Sequence, residues 1–164
     1  MTRLSPVALG AAQRLALGLK WLHSWSPVTV HQEALQIRSP GAGLVNIRPQ
    51  VQEAVRRSGV QSGLCTVFVQ HTSCSLLIQE NADPAVLRDL HRWMADLAPE
   101  TRPWEHSDEG PDDMPAHARS ALTRTSESIP ICLGKLALGT WQGLYLWEHR
   151  RHAHTRRIVV HVAG

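Results

Sequence analysis

Apolar residues recur along this chain at spacings of about two and about four residues, and the switches between the two predict its elements. Residues 28–38 alternate in part and run into Ser39-Pro-Gly-Ala-Gly43, which predicts a strand followed by a loop. Ile47, Val51 and Val55 then return at helical spacing, with Asn46 as N-cap and Gly59 as stop. Residues 64–70 are rich in β-branched and aromatic types and too few for an ordinary helix, so they predict a strand ending at His71, with a second apolar run over 75–79. Asp83 and Pro84 supply the cap and first turn of a helix carrying Val86, Leu90, Trp93 and Leu97, closed by Pro99. A polar loop over 103–113 leads into a short helix over 114–122, capped by Asp113 and with Pro115 tolerated in its first turn. Residues 125–133, 135–140, 143–148 and 157–162 read as strands, with Gly134 turning between the first two. No helical pattern separates these last strands. The fold class this predicts is α+β, mainly antiparallel, with two to three helices.

At 164 residues the chain has room for one domain with a real core. Its 43% hydrophobic and 19% charged residues suit a folded protein, and no apolar run reaches the roughly 18 residues of a membrane span. Residues 4–22 are apolar-rich, but Gln13, Arg14 and Lys20 split any signal-peptide core. Residues 1–25 therefore read as an N-terminal extension outside a domain over 26–164, in a protein expected in the cytoplasm. Cys65, Cys74 and Cys132 are odd in number and lack CxxC spacing, which argues against a disulfide framework and a thiolate zinc site. The net charge of +3 with ten histidines suits an anionic ligand. Nucleic acid fits less well, because basic residues concentrate only at Arg150, Arg151, Arg156 and Arg157, with few aromatic platforms beside Trp147.

Residues 106–117 place two imidazoles and four carboxylates in one Gly/Pro-punctuated stretch, which is either a solvated connector or a site. If Asp113 begins a helix, His117 lies four residues on and shares its face, usable metal-ligand geometry that a capping pair would also produce. His106, Asp113 and His117 are thus the candidate ligands of a divalent ion, zinc or magnesium. His71, Glu148 and His149 are candidates for proton transfer. Thr72, Ser73, Asn81, Trp141, Gln142, Arg150 and Arg157 are candidates for holding a phosphorylated small molecule, each also open to a turn, packing or solvated role. Cys74 beside them lacks a thiolate-stabilising partner and reads as packing.

Five motifs in order, Gln70-His-Thr-Ser73, Glu80-Asn-Ala-Asp-Pro84, the stretch 106–117, Gly139-Thr-Trp-Gln-Gly143 and Glu148-His-Arg150, resemble those of the YjbQ family, whose members are often labelled secondary thiamine-phosphate synthases. The resemblance spans about residues 26–164. It implies an antiparallel sandwich, a homotrimer, a pocket of histidines and acids that holds a metal, and a weak activity joining a pyrimidine diphosphate to a thiazole phosphate with loss of pyrophosphate. No organic cofactor is implied. A non-catalytic trimer binding a metal or a phosphorylated metabolite is the alternative. The chain departs from the family at Cys74, where alanine is common, and at Ala153-His154, where paired glycines are common.

Overall fold

The computed structural model describes residues 27–164, and the extension read over 1–25 lies outside them. Two antiparallel sheets face each other. The larger sets β1 (Val30–Ser39), β8 (His154–Ala163), β3 (Ser62–Val69), β5 (Ser126–Cys132) and β6 (Lys135–Leu136) side by side in that order. The smaller sets β2 (Gly43–Asn46), β7 (Gln142–Glu148) and β4 (Cys74–Glu80). Alternation drives the larger sheet: in β5 and β8 every second residue is buried, so Ile129, Ile131, Ile158, Val160 and Val162 point inward with Cys65, Val67 and Val69 of β3. They pack on Leu76, Leu144 and Leu146 of the smaller sheet and on Val51, Ala54 and Val55 of helix α1 (Arg48–Ser58). Strand β7 is buried on both faces. Leu144 and Leu146 face this core, while Tyr145 and Trp147 face helices α2 (Pro84–Leu97) and α3 (Asp113–Leu122), which pack on β2 and β4.

Several boundaries differ from the sequence reading, each for a local reason. Strand β2 interrupts the expected loop, because Gly43 to Asn46 pair with Glu148 to Tyr145. Asn46 ends that strand, so Ile47 stands at the N-cap of α1; the Asn46 amide oxygen still accepts from Arg48 N at 3.0 Å, an Asx turn doing a cap's work. The strand expected over 135–140 is two residues long, after a tight hairpin turn in which Leu133 and Gly134 both take positive φ, 51° and 71°. Asp83 caps α2 as expected, accepting from Ala85 N at 2.7 Å. Trp93 and Leu97, which the periodicity places inward, are 57% and 49% exposed, and Met94 is the buried residue of that helix.

Three of the crossings between sheets, at 40–42, 70–73 and 149–153, gather at one end of the sandwich, because Ser39 pairs with His154, Val69 with Ile158 and Cys74 with Glu148. Gly41 holds two of them together: its φ is 138° and a Cβ there would come within 2.4 Å of Arg151 O. The start of α3 lies across this end. The connections into α2 and β7, carrying Asn81 and Trp141, lie at the other, about 20 Å away along the seven-residue strand β4.

Candidate functional site

Helix α3 carries no side-chain cap. Asp112, one residue earlier than the sequence reading has it, stands at the N-cap, and Asp113 is the first helical residue. The shift releases the Asp113 side chain, and its spacing of four from His117 then brings both to one face. Asp113 is 2% exposed; Oδ1 pairs with Arg150 Nη1, while Oδ2 lies 2.8 Å from His106 Nε2 and 3.3 Å from His117 Nε2. One ligand atom from each of the three residues lies within 4.8 Å of the others.

The second contact of His117 decides its chemistry. Its Nδ1 donates to Thr72 O at 3.1 Å, so its Nε2 lone pair points at an electron-rich carboxylate oxygen. That opposition calls for a positive charge between them, a proton or a metal ion. One imidazole oriented this way, a second at half-exposed His106 on the open side, and a carboxylate held by an arginine fit a divalent ion.

Arg150 belongs to this framework. Its guanidinium donates to Asp112, to Asp113 and to Glu109 O, so it is occupied by protein acceptors rather than held ready for phosphate. Asp112 also accepts from Arg151 N at 2.9 Å. Burial pushes the Asp112 carboxyl up, but the Arg151 amide and Arg150 hold it below the usual carboxylate range.

Glu148 is fully buried between the sheets. It accepts from Arg156 through both oxygens, from Ser39 Oγ at 2.8 Å and from Arg150 N at 3.0 Å. Burial pushes its carboxyl up, and the bonds from Arg156, Arg150 N and Ser39 outweigh that, hold it below its ordinary value and keep it ionised. With its lone pairs taken, it is a structural anchor. His149 is 1% exposed and bonded to Ser75 Oγ at 2.9 Å; burial first, then the charge of Arg119, push it down to about 3. It is neutral at pH 7.

His71 stands at the site's edge and accepts from Arg157 N at 2.8 Å through Nε2, so its proton sits on Nδ1 and it offers a donor. Burial, then Arg156, lower its affinity for a second proton. Thr72 is exposed and Ser73 half-buried beside it. Because β8 alternates, Arg156 points inward to Glu148 and Arg157 outward, away from Glu148. The structure thus gathers His71, Thr72, Ser73, His106, Asp113, His117 and Arg150, with Glu148 and His149 buried behind them. Asn81, Trp141 and Gln142 sit at the far end, where Asn81 N bonds Trp141 O and a cleft of about 490 Å³ opens beside Trp141 and Gln142. The sequence reading missed the pairing of Asp112 with Arg150 and of Glu148 with Arg156; the second pair lies eight residues apart on consecutive strands, but the first spans 38 residues and leaves no local signal.

Cys74 is buried in the core, and burial pushes its thiol up to about 12, in keeping with the packing role expected of it. Among the described residues no helix is long and apolar enough to cross a membrane.

Residues 33–164 match the family model described as UPF0047 protein YjbQ-like. A UPF0047 protein of Synechocystis is 60% identical over 135 residues, covering 82% of this chain and 92% of the relative. The UPF0047 protein YjbQ of Escherichia coli O157:H7 is 43% identical over 105 residues, 64% of this chain and 76% of the relative. Among solved structures, a YbjQ-like protein of unknown function from Sulfolobus solfataricus superposes with TM-score 0.75 at 25% identity, covering 84% of this chain and 99% of its own. An uncharacterised YjbQ/UPF0047 protein of Clostridium acetobutylicum superposes with TM-score 0.71 at 34% identity, covering 80% and 98%. With the sandwich, the ordered motifs and these matches in agreement, the chain belongs to the YjbQ/UPF0047 family.

Proposed function

We propose that the chain is a transferase of the thiamine-phosphate synthase type, joining a pyrimidine diphosphate to a thiazole phosphate at the crossing end of the sandwich. The observation that carries this reading is the convergence of His106, Asp113 and His117, with His117 oriented by Thr72 O and Asp113 by Arg150. Two imidazole nitrogens and one carboxylate oxygen suit zinc better than magnesium, which favours an all-oxygen shell. His106, Asp113 and His117 would hold such an ion, which would supply positive charge to a departing pyrophosphate. The protein's own part is to position and to donate: His71 from Nδ1, and Thr72 and Ser73 from their hydroxyls. No nucleophile on the protein is required, since loss of pyrophosphate calls for charge neutralisation. Assembly as a homotrimer in the cytoplasm is part of the proposal and rests on the family resemblance.

One observation favours a second reading, a trimer that binds a metal or phosphorylated metabolite without turnover. Glu148 and His149, two of the three groups considered for proton transfer, are buried and bonded. Metal-stripped protein, reloaded with zinc or magnesium and given both precursors, separates the two. Product formed by wild type and lost at least tenfold in His117→Ala supports the transferase. Zinc binding without product under either ion supports the binding protein, and equal activity in His117→Ala removes the assigned site.

A further inference from the structure

The three members of the triad are held in unlike ways. Asp113 and His117 stand on α3 at helical spacing and are bonded by Arg150 and Thr72 O. His106 has neither support. It lies on residues 98–112, which join α2 to α3 without helix or strand, and among the described residues its ring bonds only Asp113 Oδ2, at 2.8 Å. A connection of that length is uncommon in a compact domain, and one tied by its own side chains is usually functional.

This connection is tied on both sides of His106. Its first part closes on Pro99 O, which accepts from Arg102 N at 3.4 Å and from Nε1 of half-buried Trp104 at 3.1 Å. The Arg102 guanidinium lies over the same indole, 4.9 Å from the ring centre. Glu100 accepts through both oxygens from Arg151 of the crossing at 149–153, and Ala98 O accepts from buried Arg119 at 2.8 Å. Beyond His106, Glu109 O accepts from Arg150 at 2.8 Å. Residues 105–108 between these ties are exposed, so what places the His106 ring opposite Asp113 is the anchoring of the backbone at Trp104 and Glu109.

We propose that Trp104 is a positioning residue of the metal site: with the pair of Glu100 and Arg151 it fixes the 98–112 connection so that His106 meets the ion. This rests on the reading of His106, Asp113 and His117 as a metal site and adds what makes the third ligand available. A histidine on an unfixed loop loses chain freedom each time it binds, and that loss offsets much of the affinity its nitrogen contributes. With the indole bonded to Pro99 O and Glu100 bonded to Arg151, the ordering is complete before the ion arrives.

Competition of zinc with a chelator, on the metal-stripped full chain, tests this in a double-mutant cycle. Wild type binds zinc, and Trp104→Ala weakens binding about tenfold. Arg151→Gln, at a 59% exposed side chain that folding tolerates, weakens it about threefold. In the His106→Ala background neither substitution weakens it further. Cobalt(II) loaded in place of zinc reads the ligand set, and the visible spectrum of Trp104→Ala follows that of His106→Ala. The proposal is overturned if both variants bind zinc as tightly as wild type, if they lose as much affinity without His106 as with it, or if Trp104→Ala keeps the wild-type cobalt spectrum. Absence of zinc binding by wild type removes the triad itself, and this inference with it.

Discussion

Glu148 and Asp113 are both buried carboxylates at the crossing end of the sandwich, and Arg150 touches both, its amide donating to Glu148 and its guanidinium to Asp113. By burial and by the presence of an arginine they look alike. Their remaining partners separate them. Glu148 meets donors on every side, Arg156 twice, Ser39 and Arg150 N, all of which keep their protons at any ordinary pH. Asp113 turns one oxygen to Arg150 and the other to two imidazoles, one of which presents a lone pair. A carboxylate surrounded by fixed donors holds two sheets together; one that shares an oxygen with imidazoles has room for an added cation. Burial alone therefore does not mark a site, whereas the protonation state that the partners impose does.

The largest test of this contrast removes Arg156. With Arg156→Ala, Glu148 stays buried without its charge partner, and denaturant unfolding is expected to show a loss of about 3–5 kcal/mol. A loss below about 1 kcal/mol would mean that Ser39 and the Arg150 amide suffice, and the anchoring role would fall.

A pH series sharpens the comparison from behind the same corner. His149 titrates near 6.5 when unfolded and is pushed down to about 3 when folded, so between those values the unfolded chain holds the extra proton. Stability is therefore fully present above about pH 6.5 and falls on acidification, by about 2 kcal/mol at pH 5 from this group alone. Glu148, also held below its ordinary value, adds to the loss at lower pH as it becomes protonated. His149→Gln should flatten the curve between pH 6.5 and pH 5; an unchanged slope there would show that burial does not keep His149 neutral.

The smallest expected stability change belongs to Asp113→Asn. Arg150 keeps Asp112 and Glu109 O as partners, so unfolding should move by only about 1 kcal/mol, while zinc affinity measured by competition with a chelator drops by at least about tenfold. A stability loss as large as that of Arg156→Ala would erase the distinction between anchor and site.

Much of the fold is legible along the chain because its cues are local. The alternation in β5 and β8, the Asp83-Pro84 start of α2 and the Gly134 turn each act within a few residues. Strand β2 escapes such reading, since four residues after a glycine turn become a strand only when β7 lies beside them. Periodicity likewise places Trp93 and Leu97 in a stripe without telling that α2 covers the small sheet through Met94.

The candidate site divides on the same line. The chain alone determined the ingredients: His106, Asp113 and His117 within twelve residues, with the last two at helical spacing, and His71-Thr-Ser at a strand end. Only the tertiary structure decided their roles. It turned His117 by bonding it to Thr72 O, filled Arg150 with Asp112 and Asp113, sank Glu148 against Arg156, and sent Asn81, Trp141 and Gln142 to the other end of β4. The reason is physical: spacing along a helix or strand sets which side chains share a face, but a hydrogen-bond partner 45 or 109 residues away exists only once the sheets have packed.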